Sequence, residues 1–157
     1  MNKLRKLSRD QRGFNLIELM IVIAIIGLLI GVGTIAWTAV MKSGNETAAV
    51  QSMDNIRKFE AQYASTHKGN FATFDELIKT VDLDQKFAGE TPVVNGYTFT
   101  LTITPPSSAG PAKYEIWAEP QSQGSTGTGT RYFYTSSVLS TIKAKDGQRA
   151  TDKDDSI

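Results

Sequence analysis

Glu18 is the one acidic residue of an otherwise apolar segment, and residues 19–40 behind it carry no charge. A charged group at the centre of a bilayer costs roughly 2.5–3.5 kcal/mol on insertion scales, so a carboxylate here calls for a partner. Directly before it stands Arg12-Gly13-Phe14-Asn15-Leu16-Ile17. A cut after Gly13 would make the Phe14 nitrogen a positive amine four residues from Glu18. Within one helix such a pair helps locally. Between identical helices that bundle with an axial stagger, each Glu18 could neutralise a neighbour's amine. A buried pair of that kind would set register, as a buried polar residue does in a coiled coil. The competing reading is an interfacial glutamate whose carboxylate reaches the headgroups. The residues alone leave both open.

The rest of the chemical inventory is thin. His67 is the single histidine, which excludes a two-histidine metal site and leaves any Ser-His-Asp arrangement resting on it alone. It falls at an expected helix end, where imidazole meets the dipole and the last carbonyls. There is no cysteine, hence no disulfide and no thiolate ligand. Gly124-Ser-Thr-Gly127-Thr-Gly129 is followed by neither lysine nor helix, so it reads as a linker rather than a phosphate loop. Asp146, Asp152, Asp154 and Asp155 could supply oxygen to calcium, but their spacing fits no EF-hand and a terminal charge run is usually solvated. Asp82-Leu-Asp84 is a weaker case still. No cofactor is expected and no catalytic constellation appears.

The elements that would position Glu18 begin with a basic leader, residues 1–13. Lys3, Arg5, Lys6, Arg9 and Arg12 against Asp10 give it a net charge of +4, which leaves about −3 for the remainder of a chain whose total is +1. The mildly acidic body shows no basic footprint, so nucleic acid is not expected as a partner. Positive charge before the apolar run predicts a cytoplasmic leader and a translocated body. The uncharged run is long enough to cross a ~30 Å hydrocarbon core as a helix. An ordinary secretory signal fits poorly, because its apolar region is shorter and ends in an A-x-A-like site. A plain signal anchor stays open.

No proline interrupts residues 16–67, so a single helix is expected, about 16–41 spanning the membrane and 42–67 amphipathic. Gly27, Gly31 and Gly33 each cost about 1 kcal/mol relative to alanine in a helix interior. They suit close helix packing or local unwinding, although glycine is also simply commoner in membrane helices. Ala49, Met53, Ile56, Phe59 and Tyr63 form a stripe at helical spacing, with Asp54, Arg57, Lys58 and Glu60 assigned to the other side. Residues 71–79 predict a short helix, with Thr73 and Glu76 as a capping box. Residues 86–95 read as loop. The period then becomes two: residues 97–104, 113–119, 131–135 and 138–143 predict an antiparallel meander of three to four strands, with Ser136-Ser137 as a tight turn. Residues 121–129 read as flexible, and the charged tail from 145 to 157 as mobile. The fold class expected is α+β, a long N-terminal helix packed on a small antiparallel sheet, with residues 68–157 forming the head.

The run Arg12-Gly13-Phe14-Asn15-Leu16-Ile17-Glu18-Leu19, with Met20-Ile-Val-Ile-Ala-Ile-Ile-Gly27 behind it, closely resembles the class III prepilin signal of type IV pilins and pseudopilins. The strong likeness covers about 30 residues; the helix and sheet beyond them resemble the pilin fold more loosely. The resemblance implies that a membrane prepilin peptidase cuts the Gly13–Phe14 bond and methylates the Phe14 amine. It implies that Glu18 serves assembly. Subunits would leave the inner membrane for a helical filament, driven by a cytoplasmic ATPase and a platform membrane protein, and end at the cell surface. A pseudopilin would build a short periplasmic piston for type II secretion instead. Asn15 replaces the commoner threonine of the motif, and Ile35 stands where many pilins have proline. Many pilins also close a C-terminal loop with a disulfide. Here packing must hold that region, with Tyr132, Phe133 and Tyr134 as candidate anchors. A signal-anchored enzyme or binding domain is the reading from another class.

Overall fold

The structure, a computed structural model, describes residues 13–157 other than Ala109 and the side chain of Ile35. The basic leader and the charge argument that rests on it lie outside the described residues, Gly13 excepted. The chain divides into two compact units, one ending at Trp37 and one beginning at Thr38. Helix α1 spans Leu16–Thr66.

In the first unit the apolar side chains of α1 face outward all round; Leu19, Ile23, Leu28 and Ile30 are each more than half exposed. The segment is long and apolar enough to cross a membrane. It stays helical through Gly27, Gly31 and Gly33, where a Cβ would meet open space. Nothing within the described residues therefore requires glycine at those three places.

In the second unit α1 buries the expected stripe: Ala49, Met53 and Ile56 are inside, with Phe59 and Tyr63 partly covered. Glu60 is a correction. It lies four residues past Ile56 and seven past Met53, which puts it on the buried face, and it is fully enclosed. The helix ends where Lys68 and Gly69 turn left-handed and the Gly69 amide donates to Ala64 O at 2.9 Å. Helix α2, Phe74–Val81, begins at the expected capping box, Thr73 with Glu76, and buries Phe74 and Leu77. A 3-10 turn, Gln85–Phe87, follows, started by the Asp84 carboxylate on the Lys86 amide.

The sheet has six antiparallel strands in sequence order, not three or four: β1 Val93–Val94, β2 Tyr97–Thr104, β3 Lys113–Pro120, β4 Arg131–Ser136, β5 Lys143–Asp146 and β6 Asp155–Ser156. Strand β1 falls in the segment read as loop. It exists because Asn95 and Gly96, with φ of 50° and 74°, make the two-residue hairpin turn that an Asn-Gly pair favours. The strand expected over 138–143 starts at its end instead. Arg57 donates to the carbonyls of Leu139 and Ser140, so α1 takes groups a ladder would have used. Strand β6 lies in the tail, paired with β5, and the Ser156 hydroxyl accepts from Lys143 Nζ at 2.8 Å.

One sheet face and the helices enclose the main core, with Tyr97, Phe99, Ile116, Ala118 and Phe133 beneath α1, α2 and Phe87. The other face carries a small second cluster of Tyr132, Tyr134 and Ala150, flanked by Trp117 and Leu139. Of the three candidate anchors, Tyr132 and Tyr134 thus serve the C-terminal segment and Phe133 the main core. Arg149 adds to that hold: its guanidinium lies 4.3 Å from the Trp117 ring and its Nε 3.1 Å from Glu119.

The loop after β3 is tied down rather than free. Lys42 Nζ donates to Gly124 O at 2.6 Å and Asn45 Nδ2 to Thr128 O at 2.9 Å. Glu46, largely buried, accepts from the Thr130 amide at 2.9 Å and hydroxyl at 2.8 Å, from the Arg131 amide at 3.3 Å and from Arg131 Nε at 2.9 Å. At Gly129 a Cβ would run into the Tyr97 hydroxyl, so only glycine lets the loop lie this close. Burial pushes the Glu46 carboxyl up, but the bonds from Thr130 and Arg131 outweigh it and hold the group below its ordinary value. A depressed carboxylate contributes stability above its ordinary pKa and loses it as pH falls through the folded one. Glu46→Ala should therefore cost about 1–3 kcal/mol near neutral pH. In thermal melts of the detergent-solubilised chain, the gap to wild type should shrink on acidification below about pH 4.

Candidate functional site at the start of the first helix

The amino-terminal turn of α1 is built as a cap. Asn15 O accepts from the Leu19 amide at 3.2 Å, and Asn15 Oδ1 takes the Ile17 amide at 3.4 Å. Glu18 Oε2 accepts from the Asn15 amide at 2.9 Å. This is a variant of the capping box with asparagine at the N-cap: its side-chain oxygen accepts the amide two residues on, not three, and the Glu18 carboxylate accepts the Asn15 amide. The spacing Asn15-x-x-Glu18 is the local sequence signal for this cap. The carboxylate also lies at the positive end of the helix dipole.

Phe14 projects into open space, 89% exposed, and Gly13 before it has room for a Cβ. The amide that Glu18 holds is the one directly after Phe14. The amide held by Glu18 thus lies one residue from the nitrogen that a cut at Gly13–Phe14 would free. The described residues bring Gly13, Phe14 and Glu18 together at one accessible helix end.

Residues 8–34 match the family described as the prokaryotic N-terminal methylation motif. The segment is a class III prepilin-type signal. It is the signal of type IV pilins and pseudopilins, a structural class, and it implies processing by a prepilin peptidase and assembly with pilin-type subunits. Together with the apolar helix it supports anchoring in a membrane. The match ends inside α1, so it leaves the head uncovered. Neither a curated protein nor a solved structure matches the chain.

The remaining candidates have ordinary roles. His67 stacks on Tyr63 with ring centroids 3.8 Å apart, and its Nδ1 lies 3.0 Å from Tyr63 O, at the helix end as expected. In the acidic tail, Asp154 accepts from the Thr151 amide and hydroxyl and pairs with Lys145 at 3.0 Å. Among the described residues no group of three or more His, Asp or Glu is placed to hold a metal ion.

The cap gives a direct test of how Glu18 works before any assembly. Glutamine keeps an acceptor for the Asn15 amide; alanine does not. In detergent micelles, amide exchange at Asn15 should stay near the wild-type rate in Glu18→Gln and rise about 5-fold in Glu18→Ala, in line with a cap worth about 1 kcal/mol.

Proposed function

We propose that this chain is the structural subunit of a type IV pilus. It would be cut between Gly13 and Phe14, methylated on the Phe14 amine, and polymerised through α1 into a filament at the cell surface. The supporting observation is the exposed, capped helix end. A glycine with room for a Cβ, an accessible Phe14 and a first-turn carboxylate stand in order ahead of a helix whose large apolar side chains are exposed. In this reading the inner membrane holds that helix first, and neighbouring subunits cover it afterwards. A cytoplasmic ATPase and a platform membrane protein would drive the transfer, and the filament would serve adhesion, motility or DNA uptake.

A type II secretion pseudopilin is the second reading. Major pseudopilins usually carry a calcium site in a C-terminal loop. Here Asp154, one acid of the C-terminal tail, is engaged by Lys145 and Thr151, which favours the pilus. A signal-anchored enzyme or binding domain would leave Glu18 without an assembly role, and the sequence offers it no catalytic constellation.

Shearing the cells and sequencing the collected protein tests the proposal. Filaments whose subunit starts at methylated Phe14 support a pilus. Cell-bound protein, with a secretion defect on deletion, points to the pseudopilin, and an uncut Met1 terminus would sink both. Gly13→Ala should leave the precursor uncut on a gel while its helix content is unchanged, since the chain itself has room for the methyl group. Glu18→Ala and Glu18→Gln should both still be cut yet yield few or no filaments. Wild-type filament yield from the glutamine variant would show that capping, not charge, is what Glu18 supplies.

A further inference from the structure

Glu60 is fully enclosed in the head, and only one of its two carboxyl oxygens has a partner: Oε2 accepts from the Ala72 amide at 3.1 Å, and Oε1 is buried without a hydrogen bond. The next amide along the chain, that of Thr73, donates to Glu76 Oε2 at 2.9 Å. Successive amides of one short connection are thus held by two different carboxyl groups. The connection is the corner between α1 and α2, and Ala72 within it is also fully buried.

Among the described residues no base answers Glu60. Arg57, three residues back on α1, pairs with Asp54 at 3.2 Å and donates to Leu139 O and Ser140 O. His67, two turns on, keeps its Nδ1 against Tyr63 O. From α2 comes the like charge of Glu76; from β3 comes Tyr114, whose hydroxyl burial pushes above its ordinary pKa. An ionised Glu60 would be a buried charge with one hydrogen bond and a carboxylate neighbour, an expensive state. A protonated Glu60 keeps the Ala72 bond and loses the repulsion.

We propose that the corner at residues 71–73 is a proton-operated latch, closed while Glu60 is protonated and loosened when it ionises. Opening frees the Ala72 amide and lets Phe71 leave the Tyr114 ring, which it now meets edge-on at 4.7 Å. Burial first, then the Glu76 charge, pushes the Glu60 pKa from 4.5 to about 7. A raised carboxyl pKa means full stability below the ordinary value, lost progressively as pH rises through the folded one. If opening restores water to Glu60, the open population at about pH 8 exceeds that below about pH 4.5 by roughly two orders of magnitude. The latch belongs to the head alone and does not rest on the pilus reading.

The test uses the full chain in detergent micelles. The melting temperature of wild type should fall between about pH 5 and about pH 8, whereas that of Glu60→Gln should change little. At Ala72, the wild-type amide should exchange at the variant's rate at about pH 5, and up to roughly a hundredfold faster at about pH 8. Equal pH dependence in the two proteins overturns the latch. Should the glutamine variant fail to fold, the carboxyl carbon resonance of Glu60 in wild type decides. A midpoint near 7 supports the proposal, and one near 4.5 overturns it.

Discussion

Every glutamate of α1 ends on a backbone amide. Glu18 takes Asn15, Glu46 takes Thr130 and Arg131, and Glu60 takes Ala72. A carboxylate accepting an amide makes one of the stronger hydrogen bonds available to a protein, and leaving such a group buried without one is costly. Three such bonds along one helix fix three different things: its own first turn, the loop ahead of β4, and the corner that leads to α2. The apolar stripe supplies most of the burial free energy, but it does not say which loop meets which turn of the helix. Directional bonds from the glutamates do.

The two parts of α1 solve opposite problems with the same backbone. From Thr38 onward the helix has a buried stripe and a solvated remainder, and the head satisfies it. Before Trp37 it is apolar on all sides and stands bare. A surface of that kind in water is a liability, and a helix apolar all round belongs in a membrane or in the core of a larger assembly. The prepilin-type signal supports the membrane as its first surroundings. Glu18 fits as well, because its cap bond supplies a partner at the helix end while the segment is lipid-bound.

Much of this was legible in the sequence, and the misses share a cause. The helix, the capping box at Thr73 and the strands at 97–104 and 113–119 follow from period and local chemistry, and all are present. Read as a charge, Glu60 went to solvent; read by position, it falls on the Ile56 face, and period should have outweighed type. Glu46 left no local trace, since its partners lie more than eighty residues away. The strand expected at 138–143 was displaced by Arg57, and β6 depends on pairing with β5, so neither could be read from a window of neighbours. Among the strands, only β1 had a missed local signal, the Asn95-Gly96 turn. At the candidate site, the cap on α1 also had a local signal, since Glu18 stands three residues after Asn15.

The head must hold its last strands without a disulfide, and it does so with groups whose strength depends on pH. Glu46 weakens its hold on the loop before β4 when it gains a proton, since its bonds favour the ionised form. Glu60 weakens the α1–α2 corner when it loses one, because burial favours the neutral form. The two work in opposite directions from positions about four turns apart on one helix, so neither acid nor base relaxes the head uniformly. Acid loosens the end of the sheet that faces Glu46, and base loosens the corner that α2 starts from. Between them lies a mildly acidic range where both are in their preferred states, and there the bonds on α1 hold the loop and the corner together. A covalent clasp would have been indifferent to pH; a clasp made of carboxyl groups cannot be.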